Sequence, residues 1–375
     1  MAGNIFDYLM WRGDITFSES AFNEVDNVIL STLIYTDFSK IVKDKGEKIT
    51  VKDAAAAYSK LYGRREFDKS LPIAQNAPSL LFAMSETQRF KNVALRNFVK
   101  KTDKDVGIQF AAIGTDISKD LSVIIFKGTD STMVGWQEDF DMSYRIVPSQ
   151  KEAKSYINSF ILDDSKDESL KKPKNYIVCG HSKGGNLALY AAAMCKDEYK
   201  SRIKTIYTND GLGFDKEAPI WNKFPLIQKK ITAIIPKESF VGVLYDCPVK
   251  QTVIESSDTG FNEHNMFNWQ VCGTKLIRED DTTFYSKVLA NAYKNWMSSL
   301  KLNDRAVLTI TLFTMLYNSG MDDFSKFSED VLNGTFNIIK NMKGIDKLDR
   351  KRTMKIIGDF LTEYKNSYIE IKKGR

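Results

Sequence analysis

A serine stands between glycines in residues 176–193, which read YIVCGHSKGGNLALYAAA. The apolar, β-branched start of this stretch predicts a buried strand, and the alanine- and leucine-rich run from Asn186 predicts a helix. Ser182 falls on the turn between them, in the pattern G-x-S-x-G. Such a turn exposes a serine hydroxyl beside a helix N-terminus, where N–H groups favour developing negative charge. The sequence therefore favours a nucleophile, and the alternative is a serine that only caps the helix.

A serine nucleophile needs a base that accepts its proton, and the chain contains two histidines. His181 is adjacent to Ser182, and neighbouring side chains in such a turn point apart, so we interpret it as a packing residue. His264 lies in a loop after a predicted strand at 251–254 and follows the serine in the chain. This order is the one found in α/β-hydrolases, so we predict that His264 is the base.

The acid that orients the base should lie between these two residues in the sequence. Asp210 ends the strand-like run IKTIYTND, directly after the serine helix, and would project from the same sheet edge as the serine. Glu238 and Asp246 lie in later loops. Asp210 also has an ordinary interpretation as a turn residue ahead of glycine, and Asp246 as a surface loop residue, so all three remain candidates.

The negative charge that forms during acyl transfer needs two backbone N–H donors. The residue after the nucleophile, Lys183, supplies the first. The second is predicted at Thr129, because an apolar strand at 121–126 ends in Lys-Gly-Thr and the glycine lets the backbone approach the site. No metal and no cofactor are predicted, since two histidines and four scattered cysteines offer no zinc pattern.

Strand-like and helix-like segments alternate through the middle of the chain. Helices are predicted at 21–43, 51–62, 85–101 and 149–161. Strands are predicted at 108–113, 121–126, 176–179, 203–208, 231–235, 251–254 and 269–271, the first two as an antiparallel hairpin. From about residue 283 the pattern is helical to the end. The prediction is an α/β-hydrolase domain with N-terminal helices over 1–282, followed by a helical extension or cap over 283–375.

The composition is that of an ordinary globular protein, with 43% hydrophobic residues among 375 and a formal net charge of +6. The N-terminus lacks the features of a signal peptide, and the longest apolar run, 306–317, is too short to span a bilayer. We expect a cytoplasmic protein with reduced cysteines. Basic residues cluster near the C-terminus, and we interpret them as a solvated helix face in preference to a surface for nucleic acid or anionic lipid. They are Lys347, Arg350, Lys351, Arg352, Lys355, Lys372, Lys373 and Arg375.

Two motifs together carry a family resemblance. IIFKGTDS-x-x-x-x-W-x-x-D followed by GHSKGG resembles the class 3 lipases, over roughly residues 105–275. NIFDYLMWRGDITF and AFNEVDNVIL, with NDGLGF, resemble an uncharacterised bacterial family that shares this core. The sequence departs from the lipase pattern at Lys127 in place of arginine, at Lys183 in place of leucine, and at Ser239, where the family has its acid. Lys183 would place a cation beside the nucleophile, which hints at an anionic head group in the substrate.

The resemblance implies an α/β-hydrolase fold with Ser182 as nucleophile, His264 as base, and Thr129 and Lys183 as oxyanion donors. Because Ser239 cannot act as the acid, we hypothesise that Asp210 does, with Asp246 as the alternative and Glu238 after it. The predicted function is hydrolysis of a carboxylic ester or thioester, with a small-molecule or lipid-like substrate and no nucleic-acid partner. Peripheral membrane contact and the oligomeric state stay open. A non-catalytic binding protein and an acyltransferase that uses the same site are the alternatives.

Overall fold

The N-terminal region is helical in this computed structural model, which describes residues 3–63, 72–168, 172–318 and 346–373. Its elements are α1 (Ile5–Arg12), α2 (Glu24–Leu33), β1 (Ile49–Thr50), α3 (Val51–Tyr62) and α4 (Pro72–Ser85). The first two helices begin at asparagines, Asn4 and Asn23, that form capping boxes with the aspartate three residues later. The helix predicted at 21–43 is shorter in the structure, because α2 ends at Leu33. The helix predicted at 51–62 has the predicted bounds.

The described residues form one eight-stranded sheet in which the strands follow their order in the chain. After β1 come β2 (Ala94–Asp103), β3 (Ile108–Asp116), β4 (Leu121–Phe126), β5 (Asn175–His181), β6 (Ile203–Asn209), β7 (Ile231–Pro236) and β8 (Thr252–Ile254). The pairs up to β3–β4 are antiparallel, and those from β4–β5 to β7–β8 are parallel. The hairpin and the parallel strands match the sequence predictions.

The prediction of a helix over 85–101 is wrong, because α4 ends at Ser85 and β2 begins at Ala94. The strand contains an irregularity between Arg96 and Val99, where Asn97 has a φ of 55°. This bulge interrupts the alternation of inward and outward side chains that marks a strand, so the apolar residues on either side of it have a spacing that resembles a helix.

Helices cover both faces of the parallel strands because successive strand residues point to opposite sides. One core joins the sheet to α1–α4 through side chains such as Ile125 and Cys179. The other joins it, through side chains such as Ile124 and Val178, to α6 (Pro148–Ser165) and α7 (Lys183–Met194). The short helices α5 (Met133–Asp141) and α8 (Asp197–Lys200) and a small hairpin of β9 (Val271–Cys272) and β10 (Lys275–Leu276) complete this part of the chain.

Beyond residue 283 the described chain is helical, as predicted. The helices are α9 (Phe284–Ser299), α10 (Leu302–Asn318) and α11 (Lys347–Lys373), and α11 packs against the other two. The division into domains at 282/283 remains a prediction. Of the helices described, none is both long enough and apolar enough to cross a bilayer.

A central parallel strand that turns sharply into a buried helix, within a mostly parallel sheet covered on both faces, characterises the α/β-hydrolase fold. Here β5, Ser182 and α7 form that unit, so the chain has an α/β-hydrolase fold with helical segments at both ends.

Candidate active site

Ser182 occupies the sharp turn between β5 and α7. Its backbone has φ 57° and ψ −130°, a left-handed conformation that a residue with a side chain adopts at a cost, and its hydroxyl makes no capping hydrogen bond to α7. The flanking glycines are sterically required. A Cβ on Gly180 would lie 2.2 Å from the carbonyl oxygen of Gly184, and one on Gly184 would lie 2.1 Å from that of Phe126. The geometry therefore disfavours the capping alternative.

His264 and Asp210 are in direct contact. Asp210 follows β6 with a φ of 42° and is fully buried. The Nδ1–H of His264 donates to Asp210 Oδ2 at 2.6 Å. Because a carboxylate oxygen can only accept, Nδ1 carries the proton, and Nε2 of the neutral ring keeps its lone pair for another group.

Further donors hold the Asp210 carboxylate in this position. Its Oδ1 accepts from the Ser239 hydroxyl at 2.5 Å and from the Gly242 N–H at 3.0 Å. Ser239, which stands where the resembling family has its acid, therefore supports the carboxylate that contacts His264. A charged carboxylate that accepts several hydrogen bonds has a fixed orientation, which it passes to the imidazole.

The other two carboxylates considered from the sequence lie elsewhere. Asp246 is 43% exposed at its side chain and pairs with Lys294 at 3.5 Å. The carboxylate of Glu238 accepts from the N–H of Gly260. The structure brings neither of them to the His264 ring.

The loop after β4 lies against the serine turn. A Cβ on Gly128 would be 3.1 Å from the Cβ of Ser182 and 2.6 Å from the carbonyl oxygen of His181, so only glycine allows this approach. The next residue, Thr129, donates its hydroxyl to Asp139 Oδ2 at 2.5 Å. Burial raises the pKa of Asp139 to about 7. No local sequence pattern marks this bond.

The side chain of Lys183 does not reach the site, contrary to the expectation of a cation beside the nucleophile. It is fully buried, and its Nζ donates to the carbonyl oxygen of Gln109 at 2.9 Å and pairs with Glu138 at 3.1 Å. Its ammonium is therefore occupied inside the fold. What Lys183 offers the site is its backbone N–H, which lies in the first turn of α7 and has no acceptor within that helix.

A second chain of hydrogen bonds, missed from the sequence, joins Tyr35 to the loop of His264. Nε2 of His181 lies 2.8 Å from the carbonyl oxygen of His264, and Nδ1 lies 2.8 Å from the Tyr35 hydroxyl. A carbonyl oxygen only accepts, so Nε2 carries the proton. Burial, and then the electrostatic influence of the neighbouring His264, hold the pKa of His181 well below its usual value. The ring is therefore neutral, and its Nδ1 accepts from Tyr35.

The Tyr35 hydroxyl also lies against Gly128, where an added Cβ would be only 2.2 Å from the Tyr35 oxygen. One buried hydroxyl thus connects the loop of Thr129 to the loop of His264, through the ring of His181. Tyr35 is separated from these residues by long stretches of sequence, and no local motif marks it.

A cavity of about 410 Å³ contains these groups. Thr129, Ser182 and His264 line it, together with apolar side chains such as Leu212 and Val241. The C-terminal helices supply another part of its wall, namely Tyr293, Trp296, Met297, Arg305, Leu308 and Thr309. Its volume suits a small organic ligand, for which pockets run from about 300 to 1,000 Å³. Within the described ranges, no three His, Cys, Asp or Glu side chains gather to hold a metal ion.

The sequence between residues 84 and 314 matches the family described as Mbeg1-like, a lipase-like family, over more than half of the chain. The chain belongs to the Mbeg1-like family. No curated protein matches the sequence. The bacterial origin that the sequence resemblance implied remains a prediction.

Solved lipases are similar to this chain at low identity. Rhizomucor miehei lipase in a propeptide complex is 14% identical, with 64% of this chain and 80% of that chain covered and a TM-score of 0.35. A lipase from Rhizopus microsporus var. chinensis is 14% identical over 60% and 76% of the two chains, with a TM-score of 0.32.

Proposed function

We propose that this protein is a serine hydrolase that cleaves carboxylic esters or thioesters through an acyl-enzyme on Ser182. The observation that carries the proposal is the hydrogen bond between His264 Nδ1 and the buried carboxylate of Asp210. His264 lines the same cavity as Ser182, whose backbone is strained at the turn between β5 and α7. A carboxylate, an imidazole in the tautomer that leaves Nε2 free, and a serine hydroxyl are the three groups this reaction needs.

The steps follow from these atoms. Nε2 of His264 accepts the proton of the Ser182 hydroxyl as Oγ attacks the carbonyl carbon. The imidazolium, held by Asp210, then gives that proton to the leaving alcohol or thiol, and an acyl group remains on Oγ. A water molecule, deprotonated by the same Nε2, releases the acid and restores the serine.

The negative oxygen of each tetrahedral intermediate would accept hydrogen bonds from the N–H groups of Thr129 and Lys183. The approach of Gly128 to Ser182 supports the first donor, and the position of Lys183 at the start of α7 supports the second. The bond from the Thr129 hydroxyl to Asp139 fixes this loop. The apolar lining of the cavity supports an acyl chain or another lipid-like group as part of the substrate.

Covalent labelling by a fluorophosphonate tests the proposal directly. We expect the wild type to be labelled, Ser182→Ala to be unlabelled, and His264→Ala to react at least about a thousandfold more slowly. Replacement of the exposed Ser118 by alanine is the control and should change nothing. Circular dichroism establishes that each variant is folded. A folded wild type that resists labelling would favour a binding protein that retains only the architecture.

The same assay compares the carboxylates. Asp210→Asn should slow labelling by roughly a thousandfold, because an amide in place of the carboxylate no longer fixes the tautomer of His264. Asp246→Asn should react like the wild type, since its carboxylate pairs with Lys294. The reverse pattern would remove Asp210 from the proposed site.

A further inference from the structure

The C-terminal helix α11 carries a line of exposed apolar side chains on its outer face. Its inner face packs on α9: Trp296 donates its indole N–H to the carbonyl oxygen of Ile356 at 2.9 Å, and its ring lies 4.9 Å from that of Phe360. Opposite this packed face, Met354, Leu361 and Ile369 are 50%, 64% and 42% exposed. Their spacing of seven and eight residues puts them along one side of the helix.

Lysines flank this apolar line, and carboxylates avoid it. At about 100° per residue, the three apolar residues and five lysines occupy roughly a third of the helix circumference. The lysines are Lys347, Lys351, Lys355, Lys365 and Lys372, all exposed. The acidic residues of α11 fall on the opposite side, at Asp349, Asp359, Glu363 and Glu370. None of the five lysines forms an ion pair with any carboxylate in the part of the chain that the structure describes.

We propose that this face of α11, the three apolar residues with the five lysines, docks on an anionic membrane surface. Apolar side chains that enter the boundary of the headgroups, with lysines beside them that meet anionic lipid, are the features of a helix that lies in a membrane interface. The lysines also extend their aliphatic stems along the apolar surface while the ammonium groups reach the headgroups.

Charge complementarity selects this partner over a second copy of the chain. Two such faces in contact would bring ten ammonium groups together around a small apolar line, so self-association is opposed by repulsion. A nucleic acid would satisfy the lysines, but it would gain nothing from the exposed methionine, leucine and isoleucine between them. The helix has 27 residues, so the face extends over about 40 Å.

Docking here would bring the membrane close to the cavity that contains Ser182. Trp296 and Met297 of α9 line that cavity, and Trp296 contacts α11 on the side opposite the proposed docking face. The proposal does not depend on the proposed catalysis, because lipid binding is measured without turnover.

Vesicle co-sedimentation of the full chain tests this proposal. Vesicles of phosphatidylcholine with roughly a third phosphatidylglycerol should bind the wild type, vesicles of phosphatidylcholine alone should not, and about 0.5 M NaCl should release the protein. The triple variant Lys351→Glu, Lys355→Glu, Lys365→Glu should lower the affinity by at least about tenfold. Met354→Gln with Leu361→Gln should also weaken binding while every charge is kept.

A matched triple variant at α6 controls for net charge. Lys151 and Lys154 of α6, and Lys166 directly after its last residue, are exposed. Their replacement by glutamate changes the net charge equally at another place in the fold, and it should leave vesicle binding within about twofold of the wild type. Equal loss of binding in both triple variants would overturn the proposal. So would absence of binding to phosphatidylglycerol vesicles, or a dimer that dissociates when Met354 and Leu361 are replaced. Binding of single-stranded RNA through the same lysines, without a contribution from Met354 and Leu361, would also overturn it.

Discussion

At the scale of single residues, we expect the Tyr35 hydroxyl to act as a positioning group, and phenylalanine removes it without changing the rest of the side chain. Tyr35→Phe leaves Nδ1 of His181 without a partner in a buried place, at a cost of about 1–3 kcal/mol in the free energy of unfolding. It also loosens the loops of Thr129 and His264 together. If the proposed hydrolysis occurs, we expect kcat toward an ester to fall about tenfold or more with little change in KM, because small displacements of catalytic groups act on the transition state.

A second tyrosine separates this effect from general destabilisation. Tyr156 is buried on the other face of the sheet and donates its hydroxyl to the carbonyl oxygen of Asn97 at 2.7 Å. Tyr156→Phe should lower the free energy of unfolding by a comparable amount and leave kcat unchanged. If the two variants lose kcat equally, Tyr35 has only a structural role.

At the residue scale, the sequence could reveal only those features that a local pattern encodes. The elbow of Ser182 lies within one strand, one turn and one helix, so its geometry follows from neighbouring glycines. The positions of His264 and Asp210 followed from chain order and from the strand that Asp210 ends. Tyr35 could not be foreseen, because only the packing of α2 against the sheet brings it to His181. The direction of the Lys183 side chain likewise depended on Glu138, in a different helix.

At the scale of the elements, the loop that carries His264 depends on a buried carboxyl group. Glu263 is fully buried, and its Oε2 accepts from the N–H of Glu238 at 2.7 Å. Its Oε1 has no hydrogen-bond partner among the residues that the structure describes. Burial, and then repulsion from Glu238 and Asp210, raise the pKa of Glu263 to about 7. Near neutral pH, this loop therefore contains a carboxyl group that binds its proton more tightly in the folded protein.

Because the pKa of Glu263 is raised, the stability of the fold should depend on pH. A raised pKa means that the folded state holds the proton more tightly, so this contribution to stability is full below about pH 4.5 and is lost as the pH rises to about 7. Glu263→Gln keeps an acceptor for the N–H of Glu238 and removes the titration. We expect the free energy of unfolding of the variant, relative to that of the wild type, to increase by about 2–3 kcal/mol from pH 4.5 to pH 8.

Urea unfolding at the two pH values measures this difference. Asp139, whose pKa is also raised to about 7, is present in both proteins, so its contribution cancels. Replacement of the exposed Glu86 by glutamine is the control and should leave the pH dependence unchanged. If the difference in the free energy of unfolding between wild type and Glu263→Gln did not vary with pH, the raised pKa of Glu263 would be contradicted.

The elements themselves were predictable where periodicity was regular. The hairpin of β3 and β4 and the parallel strands β5–β7 each show a compact apolar run bounded by turn residues. β2 was not predicted, because the bulge at Asn97 disturbs the alternation of inward and outward side chains along this strand. Its last residues, Lys-Lys-Thr-Asp, are also polar and exposed, which removes the second signal of a strand.

At the scale of the whole molecule, the cavity is lined by two parts of the chain that the predicted domain boundary assigns to separate domains. The predicted boundary at 282/283 set the C-terminal helices apart from the α/β-hydrolase core, yet α9 and α10 line the same cavity as Ser182. A wall contributed by a distant segment leaves no trace in the motifs around the serine. If the proposed reaction occurs, the size of the acyl group that fits should therefore depend on residues of α10.

Leu308 of α10 lines the cavity and is buried against Trp296 and Met297, whereas Leu302 of the same helix is exposed and outside it. Leu308→Trp should fill part of the cavity. It should lower kcat/KM for an octanoate ester relative to an acetate ester by about tenfold, because discrimination by pocket size is worth about 1–3 kcal/mol. Leu302→Trp makes the same replacement outside the cavity and should change neither ester. Thermal unfolding of both variants measures any cost of overpacking. If Leu308→Trp slowed both esters equally, the C-terminal helices would not bound the acyl site.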